Sequence, residues 1–144
     1  MVKKDTVRLL RECDSGVRMG VDSIGDVMEN VRSSEFKEVL KKCKGEHERL
    51  AHEIESMLHE YHDEGKEPPL IATGMSKLKT EFKLAFDNSD STVAGLMTDG
   101  CNMGVKSLSK YLNEYAAAEE RAKDIAKKLI SIEERLAEDI RGFL

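Results

Sequence analysis

The chain has 144 residues, 35% of them charged and 5% aromatic, with two prolines, no tryptophan and a formal net charge of −5. That length can bury the core of one domain, and a mixture rich in Glu, Lys, Leu and Ala favours long amphipathic helices. The negative charge argues against a nucleic-acid partner gripped through its phosphates, and no apolar run approaches the roughly eighteen residues needed to cross a bilayer.

The N-terminus, MVKKDTVRLL, has two lysines but no long apolar segment and no small-residue cleavage site, so no signal peptide is predicted. Cys13, Cys43 and Cys101 are odd in number and lack paired spacing. They read as reduced thiols of a cytoplasmic protein.

In the first predicted helix, Leu10, Val17, Val21, Ile24, Met28 and Val31 fall at alternating three- and four-residue steps, with Asp14 filling the gap after Leu10. Asp5 or Thr6 is its N-cap candidate. The second runs from a Ser33-Ser34 cap through Phe36, Leu40, Cys43, His47, Leu50, Ile54, Met57 and Tyr61, and is expected to stop at Gly65 and the Pro68-Pro69 pair. Next comes a long connection, about 63–90, in which Ile71, Met75, Leu78, Phe82 and Phe86 recur at helical spacing. They predict a shorter fifth helix across the bundle, with Lys77, Lys79 and Lys83 on its solvated face. After DNSDS, the third long helix carries Ala94, Thr98, Cys101, Val105, Leu108, Leu112 and Tyr115. The fourth carries Ala122, Ala126, Leu129, Glu133, Leu136, Ile140 and Phe143. At 1.5 Å per residue each long helix spans roughly 35–40 Å.

Segments recur between the halves. HERLAHEI (His47–Ile54) returns as EERLAEDI (Glu133–Ile140), and KEVLKK (37–42) as KDIAKK (123–128), both at a shift of 86. MGVDSI (19–24) returns as MGVKSL (103–108) at a shift of 84. Three matches in order, in phase with the apolar stripe, predict two copies of one helical hairpin, at about 5–62 and 91–144. A connection too long for a tight turn between antiparallel neighbours can travel the length of the bundle, making the second and third helices parallel.

Two hairpins joined by one long crossover, with His47 midway along the second helix, resemble the ferritin-like superfamily. More closely, the chain is similar to an uncharacterised bacterial ferritin-like family of four-helix bundles. The resemblance implies an all-α ferritin-like bundle of one domain. It also implies a central di-metal site built from one Glu on each of two helices and a Glu-x-x-His on each of the other two. His47 matches the histidine, but Lys44 stands where its glutamate belongs, and the corresponding pair on the fourth helix is Ile130 and Glu133. The other helices offer Val17 or Val21, and Cys101 or Val105, at that height. No di-metal centre is therefore expected.

His47 and Glu133 are repeat partners on apolar stripes, so a pseudo-two-fold would bring them together as a central polar pair. Three readings stay open: a buried hydrogen bond between them, a single iron, manganese or zinc ion held by His47 and Glu133 with Cys43 or Cys101, or exposure to solvent. Asp14 would join such a network or lie in a frayed, hydrated first turn. Gly16 and Gly20 lie four apart, as do their repeat partners Gly100 and Gly104. Four interior helix glycines cost about 4 kcal/mol relative to alanine, so something offsets them: either the first and third helices cross at these strips, or a homodimer forms there. His59 and His62 near a helix end read as solvated, with surface chelation the alternative.

The functional expectation is a non-enzymatic cytoplasmic bundle without cofactor, acting through a homo-oligomer or another protein, with neither nucleic acid nor a membrane span. The alternative is a redox protein with a mononuclear metal centre at His47 and Glu133. A sensor of small apolar ligands would need a large enclosed pocket beside Cys101.

Overall fold

A computed structural model describes residues 2–63, 65 and 87–144. These residues form four long α-helices: α1 (Val2–Met28), α2 (Ser34–Glu60), α3 (Asp90–Glu114) and α4 (Glu120–Asp139), followed by a short 3-10 turn, Arg141–Phe143. No strand occurs among the described residues, and none of these helices is long and apolar enough to cross a membrane. The fifth helix expected around Ile71 to Phe86 lies outside the described residues, as do Lys77, Lys79, Lys83 and the Pro68-Pro69 pair.

Two helices start on serine caps. Ser33 Oγ accepts from Phe36 N–H and Ser89 Oγ from Thr92 N–H, each at 3.2 Å, satisfying a donor that the first turn leaves orphaned. Asp5 and Thr6 do not cap α1, which begins earlier, at Val2. Their side chains turn to another part of the chain. Asp5 accepts from Ala117 N–H at 3.1 Å and Thr6 Oγ1 from Glu119 N–H at 2.8 Å. Glu119 makes no side-chain cap of its own, so Thr6 supplies across space the acceptor that α4 lacks locally.

The second helix stops at Glu60, before Gly65. Asp63 N–H reaches back to the Leu58 carbonyl and His62 N–H to that of His59, both at 3.0 Å. This is a Schellman closure, and it needs a left-handed residue just beyond the cap. His62, at φ 57°, takes that conformation, and both His59 and His62 are exposed.

Contacts at the two ends establish the course of the helices. Asp90, opening α3, accepts from the backbone N–H of Arg32 (2.8 Å) and Ser33 (2.9 Å), just before α2. At that same end the Phe143 ring stacks on Phe36 with centroids 4.6 Å apart. At the other end Asp63 pairs with Arg11 at 3.2 Å and Glu60 with Arg121, while the α3–α4 turn rests on Asp5 and Thr6. Thus α2 and α3 start at one end and run parallel, so that Glu60 and Asp90 lie at opposite ends of the bundle. α1 packs on α2, α3 and α4, and α4 on α2 and α3.

The core divides into two apolar clusters. One holds Leu9, Leu10, Cys13 and Val17 of α1, Leu50 to Leu58 of α2, Leu108 of α3, and Ile125 and Leu129 of α4. The other holds Ile24, Val27, Phe36, Leu40, Cys43, Val93, Met97, Cys101, Leu136 and Ile140. On every helix the division falls near mid-length: between Val17 and Ile24, Cys43 and Leu50, Cys101 and Leu108, and Leu129 and Leu136. The stripes are also wider than the single-file spacing indicated. Leu9, Cys13, Val27, Val93 and Met97 are buried, whereas Val21, Met28, Thr98, Val105, Leu112 and Tyr115 are only partly so. A helix that touches two or three neighbours buries more than one row of side chains.

Candidate functional site: a polar layer at mid-bundle

His47 occupies the gap between the clusters on α2, and Glu133 the gap on α4. The imidazole is 1% exposed and its Nε2 lies 2.7 Å from Glu133 Oε1. Nδ1 lies 2.8 Å from the carbonyl oxygen of Cys43, one turn earlier on α2, and 3.5 Å from Cys43 Sγ. A carbonyl oxygen only accepts, so Nδ1 carries a proton. With a carboxylate against Nε2, the arrangement satisfies an imidazolium that donates at both nitrogens, a charge-assisted pair. Burial by itself would weaken proton binding at His47. Hydrogen bonding toward Cys43 and Glu133, together with the Glu133 charge, outweighs it and holds the imidazole pKa up at about 10.

Glu133 has a second partner, the Cys101 thiol of α3. Burial, followed by the charge and hydrogen bond of Glu133, pushes that thiol far above the ordinary range. The layer is therefore a chain across three helices: Cys43 and His47 from α2, Glu133 from α4, Cys101 from α3. The remaining helix, α1, contributes an absence of side chain. A Cβ at Gly20 would sit 2.7 Å from both Cδ2 and Nε2 of His47, so the imidazole lies where only glycine leaves room. Gly104 faces Glu133, whose atoms would be 3.6 Å from a Cβ there.

This corrects the expected crossing of α1 and α3 at their glycines. Gly16 meets Leu129 of α4 at 3.7 Å and Gly100 has nothing within 4 Å. Gly20 and Gly104 instead make space for the polar pair. Spacing alone held no sign of which neighbour a bare helix face receives.

The remaining candidates lie elsewhere. All three cysteines are free and buried. Burial, then the charges of Glu12 and Asp14, raises the Cys13 thiol to about 12. Asp14 is not in a frayed turn; it is 1% exposed and paired with Arg18 at 3.2 Å. Among the described residues, no group of three or more His, Cys, Asp or Glu is arranged to hold a metal ion. A shallow cleft of about 360 Å³ lies between α1 and α2, lined by Val17, Val21 and Ala51 together with Arg18, Asp22, Glu48 and His52; Cys101 is not part of it.

Comparison of the chain with family models, with curated proteins and with solved structures returns no match.

Proposed function

We propose that this chain is a ferritin-like bundle in which a buried imidazolium–carboxylate pair replaces the di-metal centre. In this reading it works without catalysis, through contacts with another copy or with a different protein, and its halves descend from one duplicated hairpin. The observation that carries the reading is the His47–Glu133 contact at 2.7 Å, because both ring nitrogens are already committed to acceptors. The residues at that height do not fit two metal ions. Lys44 brings a cation, Val17, Val21, Val105 and Ile130 bring no donor atoms, and a thiol stands at Cys101. The duplication is supported by the placement of Gly20 and Gly104 against His47 and Glu133, residues that share the repeat shifts.

Action through a surface is supported by α3, where Met103 is 68% exposed and Gly100 next to it is open. An exposed, flexible thioether one turn from a glycine without a side chain suits a protein contact.

Metal analysis of untagged protein purified without chelators tests the central claim. Metal-free protein whose melting is unmoved by added chelator is the expected result. Stoichiometric iron, manganese or zinc that disappears in His47→Ala would establish the mononuclear redox centre instead. Sedimentation velocity tests the contact. Concentration-dependent association weakened by Met103→Glu is expected for self-assembly, and a strict monomer at every concentration removes that arm.

A further inference from the structure

Among the described residues, three large apolar side chains are exposed. Val2 opens α1 and Leu144 follows the last turn, whereas Met103, at 68%, stands midway along α3. At about 3.6 residues per turn, Met103 shares a line along the helix with the partly buried Leu96. Asp99 and Lys106, both exposed, flank that line on one side, and Gly100 and Ser107 on the other. Neither Asp99 nor Lys106 has an ion pair among the described residues. Gly16 of α1 receives Leu129, but a Cβ at Gly100 would meet nothing within 4 Å.

We propose that this face of α3 docks on a second copy of the chain, the two α3 helices lying antiparallel about a two-fold axis at Met103. The proposal rests on the reading above that the chain acts through a surface, and gives that contact its partner and direction. Charge complementarity selects both. In an antiparallel pair each flank of a helix meets the same flank of its partner, and a two-fold contact is reciprocal. Asp99 and Lys106 share one flank and stand equally far from the point between Asn102 and Met103. An axis there brings Asp99 of each copy to Lys106 of the other. The opposite flank then sets Gly100 and Ser107 against their counterparts, small enough for close approach, with the two Met103 side chains meeting on the axis. A parallel pair would instead turn Asp99 and Lys106 toward Gly100 and Ser107, leaving both charges without partners. Exposed ion pairs add little affinity; their effect is to fix the direction, because a wrong juxtaposition opposes like charges.

The test is sedimentation velocity of the full-length chain over a wide concentration range at low salt. Wild type should associate with concentration. Asp99→Lys and Lys106→Asp, each alone, oppose like charges at both contacts and should weaken association by about tenfold or more. An equimolar mixture of the two variants restores opposite charges at both contacts, and a heterodimer of about wild-type strength is expected. Association of wild type that neither substitution weakens, or a mixture no tighter than its components, overturns the two-fold while leaving surface action through another face. A wild-type chain that stays monomeric at every concentration also overturns it, leaving that reading only a different protein as partner. Should a variant fail to fold, a zero-length carbodiimide applied to wild type decides. Asp99 and Lys106 of one chain are two turns apart, so an amide between them must join two copies. Its absence from the cross-linked dimer overturns the proposal.

Discussion

An alanine Cβ at Gly20 would lie 2.7 Å from two ring atoms of a buried histidine, whereas one at Gly100 would meet nothing within 4 Å. The imidazole cannot retreat, because both nitrogens are fixed by partners at 2.7 and 2.8 Å. Gly20→Ala is therefore predicted to destabilise the protein by about 1–3 kcal/mol as overpacking exceeds the gain in helix propensity. Gly100→Ala should stabilise by about 0.5–1 kcal/mol, since only the propensity gain remains. Urea midpoints of the two variants check both signs. The same pair gives a pH dependence. His47 binds its proton more tightly when folded, its pKa rising from 6.5 to about 10. Its contribution is fully present below pH 6.5 and is lost as pH rises toward 10. Cys43 of α2, Glu133 of α4 and, through Glu133, Cys101 of α3 face this layer, while α1 presents Gly20 and no charge. The Cys13 thiol titrates from an ordinary 9.0 upward, so a fall in melting temperature between about pH 6.5 and 9 belongs to His47. That fall should vanish in His47→Gln. At this scale the polar pair was legible, since a histidine and a glutamate stood on apolar stripes in segments 86 apart. The Cys43 carbonyl was not, because every helical residue offers a backbone acceptor one turn back.

The positions of the four long helices were legible because three- and four-residue apolar spacing survives any packing detail, but their ends were not. Asp5 and Thr6 have the composition of an N-cap, yet their hydrogen bonds go to Ala117 and Glu119, 112 and 113 positions away. His62 ends α2 in a left-handed conformation for which Gly65 was the obvious candidate. Distant partners decide such details, and local composition carries no trace of them. Thr6→Val keeps the shape of the side chain and removes the acceptor from Glu119 N–H. It should cost about 1–2 kcal/mol and speed amide exchange in the first turn of α4, leaving α2 exchange unchanged. The antiparallel α2–α4 seam shows a different kind of legibility. Glu46, Glu53 and Glu60 pair with Arg135, Lys128 and Arg121, so both helices repeat every seventh residue as a coiled-coil seam does. These pairs are half exposed at most of their members and contribute little energy each. Their value is register: shifting α4 by one residue against α2 would part all three and pull Glu133 away from His47.

Across the whole molecule, one polar layer separates two apolar clusters, and the chain must thread them so that α2 and α3 point the same way. Hydrophobic burial drives collapse of either cluster without regard to which helix lies beside which. The layer is selective, because a misplaced helix would leave an imidazolium or a carboxylate buried without its partner, at a cost of several kcal/mol. The connection between Glu60 and Asp90 enforces the same arrangement by length. Its ends lie at opposite ends of the bundle, beside Arg11 and beside Arg32. A helix such as α2, with 27 residues, spans about 40 Å at 1.5 Å per residue. An extended chain covers at most about 3.5 Å per residue, so at least roughly twelve residues must join α2 to α3. A connection cut to about six residues reaches only about 20 Å. It would force α3 either to reverse, breaking the Asp90 contacts with Arg32 and Ser33, or to pair with the α1–α2 hairpin of a second chain. Such a deletion should yield a domain-swapped dimer or aggregate on size exclusion, with the monomer gone. A deletion leaving about eighteen residues, enough to span the bundle in extended form, should still give a helical protein with the wild-type unfolding cooperativity. A folded, cooperative monomer from the six-residue connection would show that α2 and α3 need not run parallel.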